Sequence, residues 1–159
     1  KFAYNFIANN KKKFKYLLQI DSDNQCNPFY LIKFINLLNL KDYDFIFGYR
    51  KYRHDGYIRV LISRILSLTF CIKKFIYIKD LNTPYRLMKI DKLKKILLDI
   101  QKKKKYKNIK LFNSVLSYEI AHKYDVKWVD IIFRERMYGK SKFNIISMLK
   151  MYLNFLLKV

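Results

Sequence analysis

Glycine and proline are nearly missing from this chain, with 3 and 2 residues among 159. No Gly/Ser or Pro-rich linker divides it and no internal repeat is visible, so one domain is expected. Cysteine is as scarce: Cys26 and Cys71 lie far apart, outside any C-x-x-C pair. That excludes a disulfide framework and suits a reducing compartment. The two histidines, His54 and His122, form no metal cluster. No apolar run reaches the roughly 18 residues that a spanning helix needs. Acidic residues are outnumbered 12 to 34 by Lys and Arg.

What is present is a core. Hydrophobic residues make up 52% and aromatics 18% of the chain, which argues against disorder. The formal net charge of +22 would attract polyanions such as nucleic acid, anionic lipid headgroups or sugar nucleotides. A strongly AT-biased genome would also enrich Lys, Asn, Ile, Tyr and Phe, so charge alone selects no partner. The chain begins at Lys1 inside a helical pattern. It is therefore expected to be the C-terminal portion of a longer domain, spanning 1–142, with an amphipathic, juxtamembrane helix over 143–159.

Read in order, apolar runs of strand and helix type alternate. Helical spacing covers 1–10, and Tyr16–Ile20 reads as a short buried strand. Asn27 as N-cap and Pro28 at the first helical position open a helix to Leu40. Asp44–Phe47 is a strand ending in Gly48-Tyr49-Arg50, followed by a charged turn to Asp55. Gly56–Ile72 is helical, apolar and flanked by Arg59, Arg64 and Lys73–Lys74. It fits a core helix or one lying on a membrane surface equally well. Phe75–Ile78 and Tyr85–Ile90 read as strands, with Asp91 capping an amphipathic helix. Lys102–Lys105 is a solvated run. Leu111–Lys123 is a further amphipathic helix, and Val126–Phe133 a strand whose Trp128 covers one sheet face. The alternation predicts an α/β domain with a largely parallel sheet.

The chemistry concentrates in QIDSDNQCNP, residues 19–28. In an extended chain, Asp21, Asp23 and Gln25 would share one face. Three oxygen-bearing side chains beyond a strand's C-terminal end make a half-shell for Mg²⁺ or Mn²⁺, completed by waters and substrate phosphates. The same stretch also reads as an Asp/Asn/Ser turn leading into an N-cap. Arg50, the pair Asp80/Arg86, and Arg136/Ser141/Lys142 lie at or after later strand ends. Acid, base, acid, base around one sheet edge is what a metal–diphosphate site requires. Asp80 could equally cap the turn at Asn82 or Thr83, and Arg50 could form an ion pair.

DSDNQ followed by Pro28 resembles the D-x-D-x-Q…P motif of family 2 glycosyltransferases of the polyprenyl-phosphate type, typified by dolichyl-phosphate mannosyltransferases. DFIFGYR is similar to their strand ending in G-x-R, and DLNTPYRLMK to their D-x-x-x-x-[FY]-R segment. RMYGKSKFN is similar to their R-x-x-G-x-S-K loop. These four motifs stand in the same order and cover most of the chain. The resemblance implies a GT-A fold and inverting transfer of a sugar from a nucleotide donor. Asp21, Asp23 and Gln25 would hold Mg²⁺ or Mn²⁺, with Asp23 and Asp80 as the catalytic pair. Arg50, Arg86, Arg136, Ser141 and Lys142 would bind phosphates or support the site. The acceptor would be a polyprenyl phosphate at the cytoplasmic face of a membrane, with Gly56–Ile72 and the tail toward the bilayer. The strands that hold the nucleobase precede this chain in the family, so these residues alone are expected to bind donor poorly. A hydroxyl acceptor on a glycan or lipooligosaccharide is the alternative within the same class. A basic module for nucleic acid or membrane is the alternative outside it. Nucleic acid is not expected as a partner, because that reading leaves Asp21 and Asp23 without a role.

Overall fold

The computed structural model describes residues 2–8, 14–54, 56–107, 109–135 and 145–158. The elements follow as α1 (Phe2–Ala8), β1 (Tyr16–Ile20), α2 (Tyr30–Leu40), β2 (Phe45–Arg53), α3 (Tyr57–Lys74), β3 (Tyr85–Lys89), α4 (Ile90–Lys102), a 3-10 turn (Lys104–Tyr106), α5 (Phe112–Lys123), β4 (Lys127–Phe133) and α6 (Ile145–Lys158). Among the described residues the strands form one open sheet in the order β1-β3-β2-β4.

The fold is mixed α/β, but the sheet is not largely parallel in its pairing. β3 pairs antiparallel with both β1 and β2, and only β2 and β4 pair parallel. Strand–helix alternation leads to a parallel sheet when each helix returns the chain to the starting end. After α3, residues 75–84 carry the chain back again as irregular backbone, so β3 enters from the opposite end. The strand expected at Phe75–Ile78 is part of this return and is not formed.

Side-chain alternation divides the sheet into two faces. Leu17, Phe45, Phe47, Met88 and Trp128 face the larger core, which α4, α5, α3 and α6 cover. Leu18, Ile46, Tyr85, Leu87, Val129 and Ile131 face a second core closed by Phe34 of α2. Trp128 packs edge-on to Phe47, with ring centres 5.7 Å apart, as expected of a face-covering residue. Gly48 is needed at the centre of the second core: a Cβ there would lie 2.7 Å from Ile131 Cδ1 and 3.1 Å from Tyr85 Cβ. Gly56 has φ of +96°, a conformation open to glycine, where the chain turns from β2 into α3.

Several boundaries shift from those expected. α2 begins at Tyr30, yet Asn27 Oδ1 accepts the Phe29 N–H at 3.0 Å, so the capping chemistry is present three residues before the helix. Asp91 lies inside the first turn of α4, where its charge favours the helix dipole, and the N-cap position falls to Lys89 instead. β2 runs on to Arg53, so Arg50 sits within a strand, at a pairing irregularity between Arg50 and Tyr52, instead of at its tip. α5 is not amphipathic: Ser114 through Ile120 are all buried, because helices pack on several sides of it. Its Glu119 is fully buried and satisfied by Lys103 at 2.6 and 2.7 Å and by the Tyr106 hydroxyl at 2.6 Å.

Candidate functional site

The functional candidates meet where β1 and β2 end, β3 begins and β4 leaves the sheet. The acidic loop is not an extended strand continuation. Residues 22–24 bend, and Asn24 adopts a left-handed conformation at φ +59°. The expected one-face alternation of Asp21, Asp23 and Gln25 is therefore lost. Asp21 is exposed, Asp23 half-buried, and Gln25 only 5% exposed. Gln25 turns inward: its Nε2 donates to the Arg134 carbonyl at 3.0 Å, and the Arg134 N–H donates to the Gln25 carbonyl at 2.8 Å. With the Cys26–Phe133 bridge, these bonds stitch the loop to the exit of β4. Asp23 Oδ1 accepts the Gln25 N–H at 3.3 Å, which holds the bend.

Arg50 and Asp80 form a buried, two-pronged ion pair, with Nε to Oδ2 at 2.6 Å and Nη2 to Oδ1 at 2.8 Å. Asp80 Oδ1 also accepts the Asn82 N–H at 3.2 Å, the turn-capping role open to it from sequence. Burial by itself would raise the Asp80 pKa, but the Arg50 charge and its hydrogen bonds outweigh that and hold it below the usual value. Both carboxylate oxygens of Asp80 are thus engaged, Oδ2 by Arg50 and Oδ1 by Arg50 and the Asn82 N–H. The loop carrying it is pinned by Ser67 Oγ, which accepts the Leu81 N–H, by the Thr83 hydroxyl donating to the Gly48 carbonyl, and by the Asp21 N–H donating to the Pro84 carbonyl.

Arg86 is fully buried. Its Nη1 donates to Gln19 Oε1 at 2.8 Å, and its Nη2 to Ser117 Oγ at 2.9 Å and the Asn113 carbonyl at 3.3 Å. Its guanidinium carbon lies 5.5 Å from the centre of the Phe47 ring. The acid and base clusters are close enough to act on one another's charge. Partial desolvation of its carboxyl raises the Asp21 pKa although the residue as a whole is exposed; Arg86 opposes this, Asp23 adds to it, and Arg50 opposes it. Asp80 in turn is influenced by Arg50, Arg53 and Arg86.

Of the residues expected from sequence, the fold thus gathers Asp21, Asp23, Gln25, Arg50, Asp80 and Arg86. Arg136, Ser141 and Lys142 lie outside the described residues. Sequence reading missed Gln19, Tyr4, Ser117 and Cys26. Gln19 carried a signal, a lone amide inside the apolar run YLLQI and one alternation before Asp21. Ser117 carried none, because small polar residues on helices are common.

Asp21 and Asp23 are hard oxygen donors on one bend, and the charge of Asp23 raises the Asp21 pKa, so a cation between them would relieve a like-charge repulsion. Mg²⁺ commonly takes only one or two protein carboxylates, with water and phosphate filling the shell. The residues fit such an ion. Among the described residues, no three His, Cys, Asp or Glu side chains form a metal-holding group, so a closed all-protein cage is not formed there.

Two faces away from the sheet ends are also notable. α3 exposes Ile58, Leu61, Ile65, Leu68 and Ile72 in one stripe, while Ile62, Leu66 and Phe70 turn to the core. The apolar residues of this helix are therefore split between core and solvent. α6 packs inward through Tyr152 and Phe155, with Phe155 5.0 Å from Phe70, and exposes Ile146, Leu149, Leu153 and Leu157. No described helix is long and apolar enough to cross a membrane.

Fold and site together define a mixed α/β protein with an open four-stranded sheet and an acid–base cluster at one end of it, among the described residues. No protein-family profile matches the chain. Over 88 residues it is 33% identical to an uncharacterised protein of Methanocaldococcus jannaschii, a match covering 52% of this chain and 38% of that protein. The chain thus spans well under half the length of that relative.

Proposed function

We propose that this chain is part of a metal-dependent, family 2-type glycosyltransferase of GT-A fold. It would move a sugar from a nucleotide-sugar donor to a polyprenyl phosphate at the membrane surface. The observation that carries the reading is the meeting of Asp21 and Asp23 with the buried Arg50–Asp80 pair and Arg86 at one sheet end. Open α/β sheets bind ligands beyond the carboxyl ends of their strands, where these groups stand.

Asp21 and Asp23 would hold Mg²⁺ or Mn²⁺, with Gln25 bracing their loop from within. A bound divalent cation supplies positive charge against a leaving diphosphate. Asp80 keeps Arg50 oriented, and the buried Arg86 adds positive potential behind Asp21. Arg136, Ser141 and Lys142 would contact donor or acceptor phosphate. A lipid monophosphate is already largely ionised near neutral pH, its second pKa being about 6, so it attacks without a strong base. That agrees with the engagement of Asp80 by Arg50 and favours the phosphate over a hydroxyl acceptor. The exposed stripe of α3, flanked by Arg59 and Arg64, supports a membrane-surface location.

The test is transfer of labelled sugar from UDP- and GDP-linked donors to polyprenyl phosphate by the full-length protein in membranes, with Mg²⁺ or Mn²⁺ and with EDTA. Metal-dependent lipid label, lost in Asp23→Ala, is the expected result. Label indifferent to both EDTA and Asp23→Ala overturns the proposal. Donor consumption without lipid label moves the acceptor to a glycan hydroxyl.

A further inference from the structure

Residues 102–110 hold six lysines in nine positions and no acid. The carboxylates nearest in sequence are already engaged: Asp99 by Lys123, and Glu119 by Lys103 and the Tyr106 hydroxyl. Like charges crowded in this way repel one another. A lysine-rich composition does not give them a common direction, but the fold does. Tyr106 is buried and ties the 3-10 turn to Glu119. The Tyr106 N–H donates to the Lys103 carbonyl at 2.9 Å, and the Lys107 N–H to the Lys104 carbonyl at 3.1 Å. Side chains three apart on such a turn eclipse one another. Lys104 and Lys107 are related in this way, and Lys110 continues the spacing. Lys103 is drawn aside by Glu119, and the Lys105 ammonium lies 5.1 Å from the centre of the Tyr106 ring.

Lys104, Lys107 and Lys110 are exposed and line a cleft of about 500 Å³ together with Ile100, Ile109 and Phe112. Ile109 and Lys110 also line a smaller cleft, of about 230 Å³, to which α6 contributes Lys150 and Asn154. Lys150 is exposed next to Leu149, a member of the exposed apolar stripe of α6. The lysines therefore border an apolar face. They also lie at the acid–base end of the sheet. Phe112 packs on Tyr4, with ring centres 5.8 Å apart, the Tyr4 hydroxyl donates to Gln19, and the Asn113 carbonyl accepts from Arg86.

We propose that this cleft is a binding site for the phosphate headgroups of anionic phospholipids, with Lys104, Lys107 and Lys110 pairing the phosphate oxygens and the α6 stripe meeting the acyl boundary. The proposal rests on the membrane-surface location given above and not on sugar transfer. Lysine binds phosphate as a compact point charge, and a fixed row of three meets several headgroups at once. Apolar residues beside a cationic row suit the bilayer interface. Single-stranded nucleic acid would satisfy the charge, but it is held by exposed aromatic faces on which bases stack. Tyr106 is buried and Phe112 half-buried, which favours lipid.

The experiment is lysine acetylation of the full-length protein with vesicles of equimolar phosphatidylglycerol and phosphatidylcholine, read residue by residue by tandem mass spectrometry. Pure phosphatidylcholine vesicles are the reference. Lys33 and Lys41 are the controls, both exposed and on α2, which covers the other face of the sheet. Acetylation of Lys104, Lys107 and Lys110 is expected to slow about fivefold or more with phosphatidylglycerol, and that of Lys33 and Lys41 by less than about twofold. Equal slowing at the controls overturns the proposal, because diffuse attraction by the net charge would then suffice. Equal slowing by glycerol phosphate added to phosphatidylcholine vesicles also overturns it, since a soluble phosphate would fill the cleft. Slowing by a single-stranded RNA without vesicles reassigns the cleft to nucleic acid. No slowing at any lysine removes the membrane location and this site together, whereas sugar transfer, measured separately, can fail with the footprint intact.

Discussion

Arg50 and Asp80 place opposite charges in an interior where either one alone would be costly. Removing the carboxylate by Asp80→Ala strands a buried guanidinium, and a loss of about 3–5 kcal/mol in stability is expected by urea denaturation. The pH dependence follows from the same contact. Arg50 holds Asp80 below the ordinary carboxylate value of 3.8 in the folded state. The unfolded chain therefore binds this proton more readily. The stabilisation is fully present above the ordinary value and is lost as pH falls through the lowered one. In Asp80→Asn this contribution to the acid limb should vanish, so the stability–pH profile below about pH 4 flattens relative to the parent. Cys26 offers a second test. Burial, and after it the charge of Asp21, pushes its thiol up to about 12. Reactivity needs thiolate, so Cys26 should resist iodoacetamide in the native protein and alkylate once guanidinium unfolds it, as read by peptide mass spectrometry.

The elements carry consequences of their own. At Gly48, β2 passes Ile131 and Tyr85 too closely for a side chain. Alanine meets mainly the movable tip of Ile131, whereas Gly48→Val forces the strands apart. It should cost about 1–3 kcal/mol, visible as a lowered melting temperature. In α3 the exposed stripe makes little contact with the core. Ile65 and Leu68 are 53% and 59% exposed, so replacing both by Glu should leave the melting temperature nearly unchanged. The same double variant should sharply reduce co-sedimentation with phosphatidylglycerol vesicles if the stripe lies on lipid. Retained binding would detach α3 from any membrane role.

For the molecule as a whole, the net charge of +22 sets the long-range field. Attraction of this kind fades once salt shortens the screening length to about 8 Å at physiological ionic strength. Vesicle binding should therefore be strong at low salt, weaken as salt rises, and be much lower on neutral phosphatidylcholine. The apolar stripe should leave a salt-resistant remainder that the α3 double variant removes. The fold places these two terms apart from the acid–base cluster in sequence: the stripe lies on α3, the acids follow β1, and their cationic partners lie in β2 and β3.

Much of the local structure was legible from the order of residues. Periodicity located the four strands and the six helices that the described residues contain, because burial of one face imposes a spacing on the chain. That Asp21, Asp23, Arg50, Asp80 and Arg86 gather near one end of the sheet was also legible, since charged groups beside apolar strand ends stand out in sequence. Tertiary structure decided the rest, for reasons that spacing does not encode. Strand direction depended on residues 75–84, whose irregular path is set by contacts with Ser67, Gly48 and Asp21. The all-round burial of α5 and the division of the α3 face depended on which helices pack beside them. The inward turn of Gln25 depended on Arg134, 109 residues away, and the link from Arg86 to Gln19 spans 67 residues. A sequence states which groups are available; their pairing is settled only when burial leaves each polar group one partner it can reach.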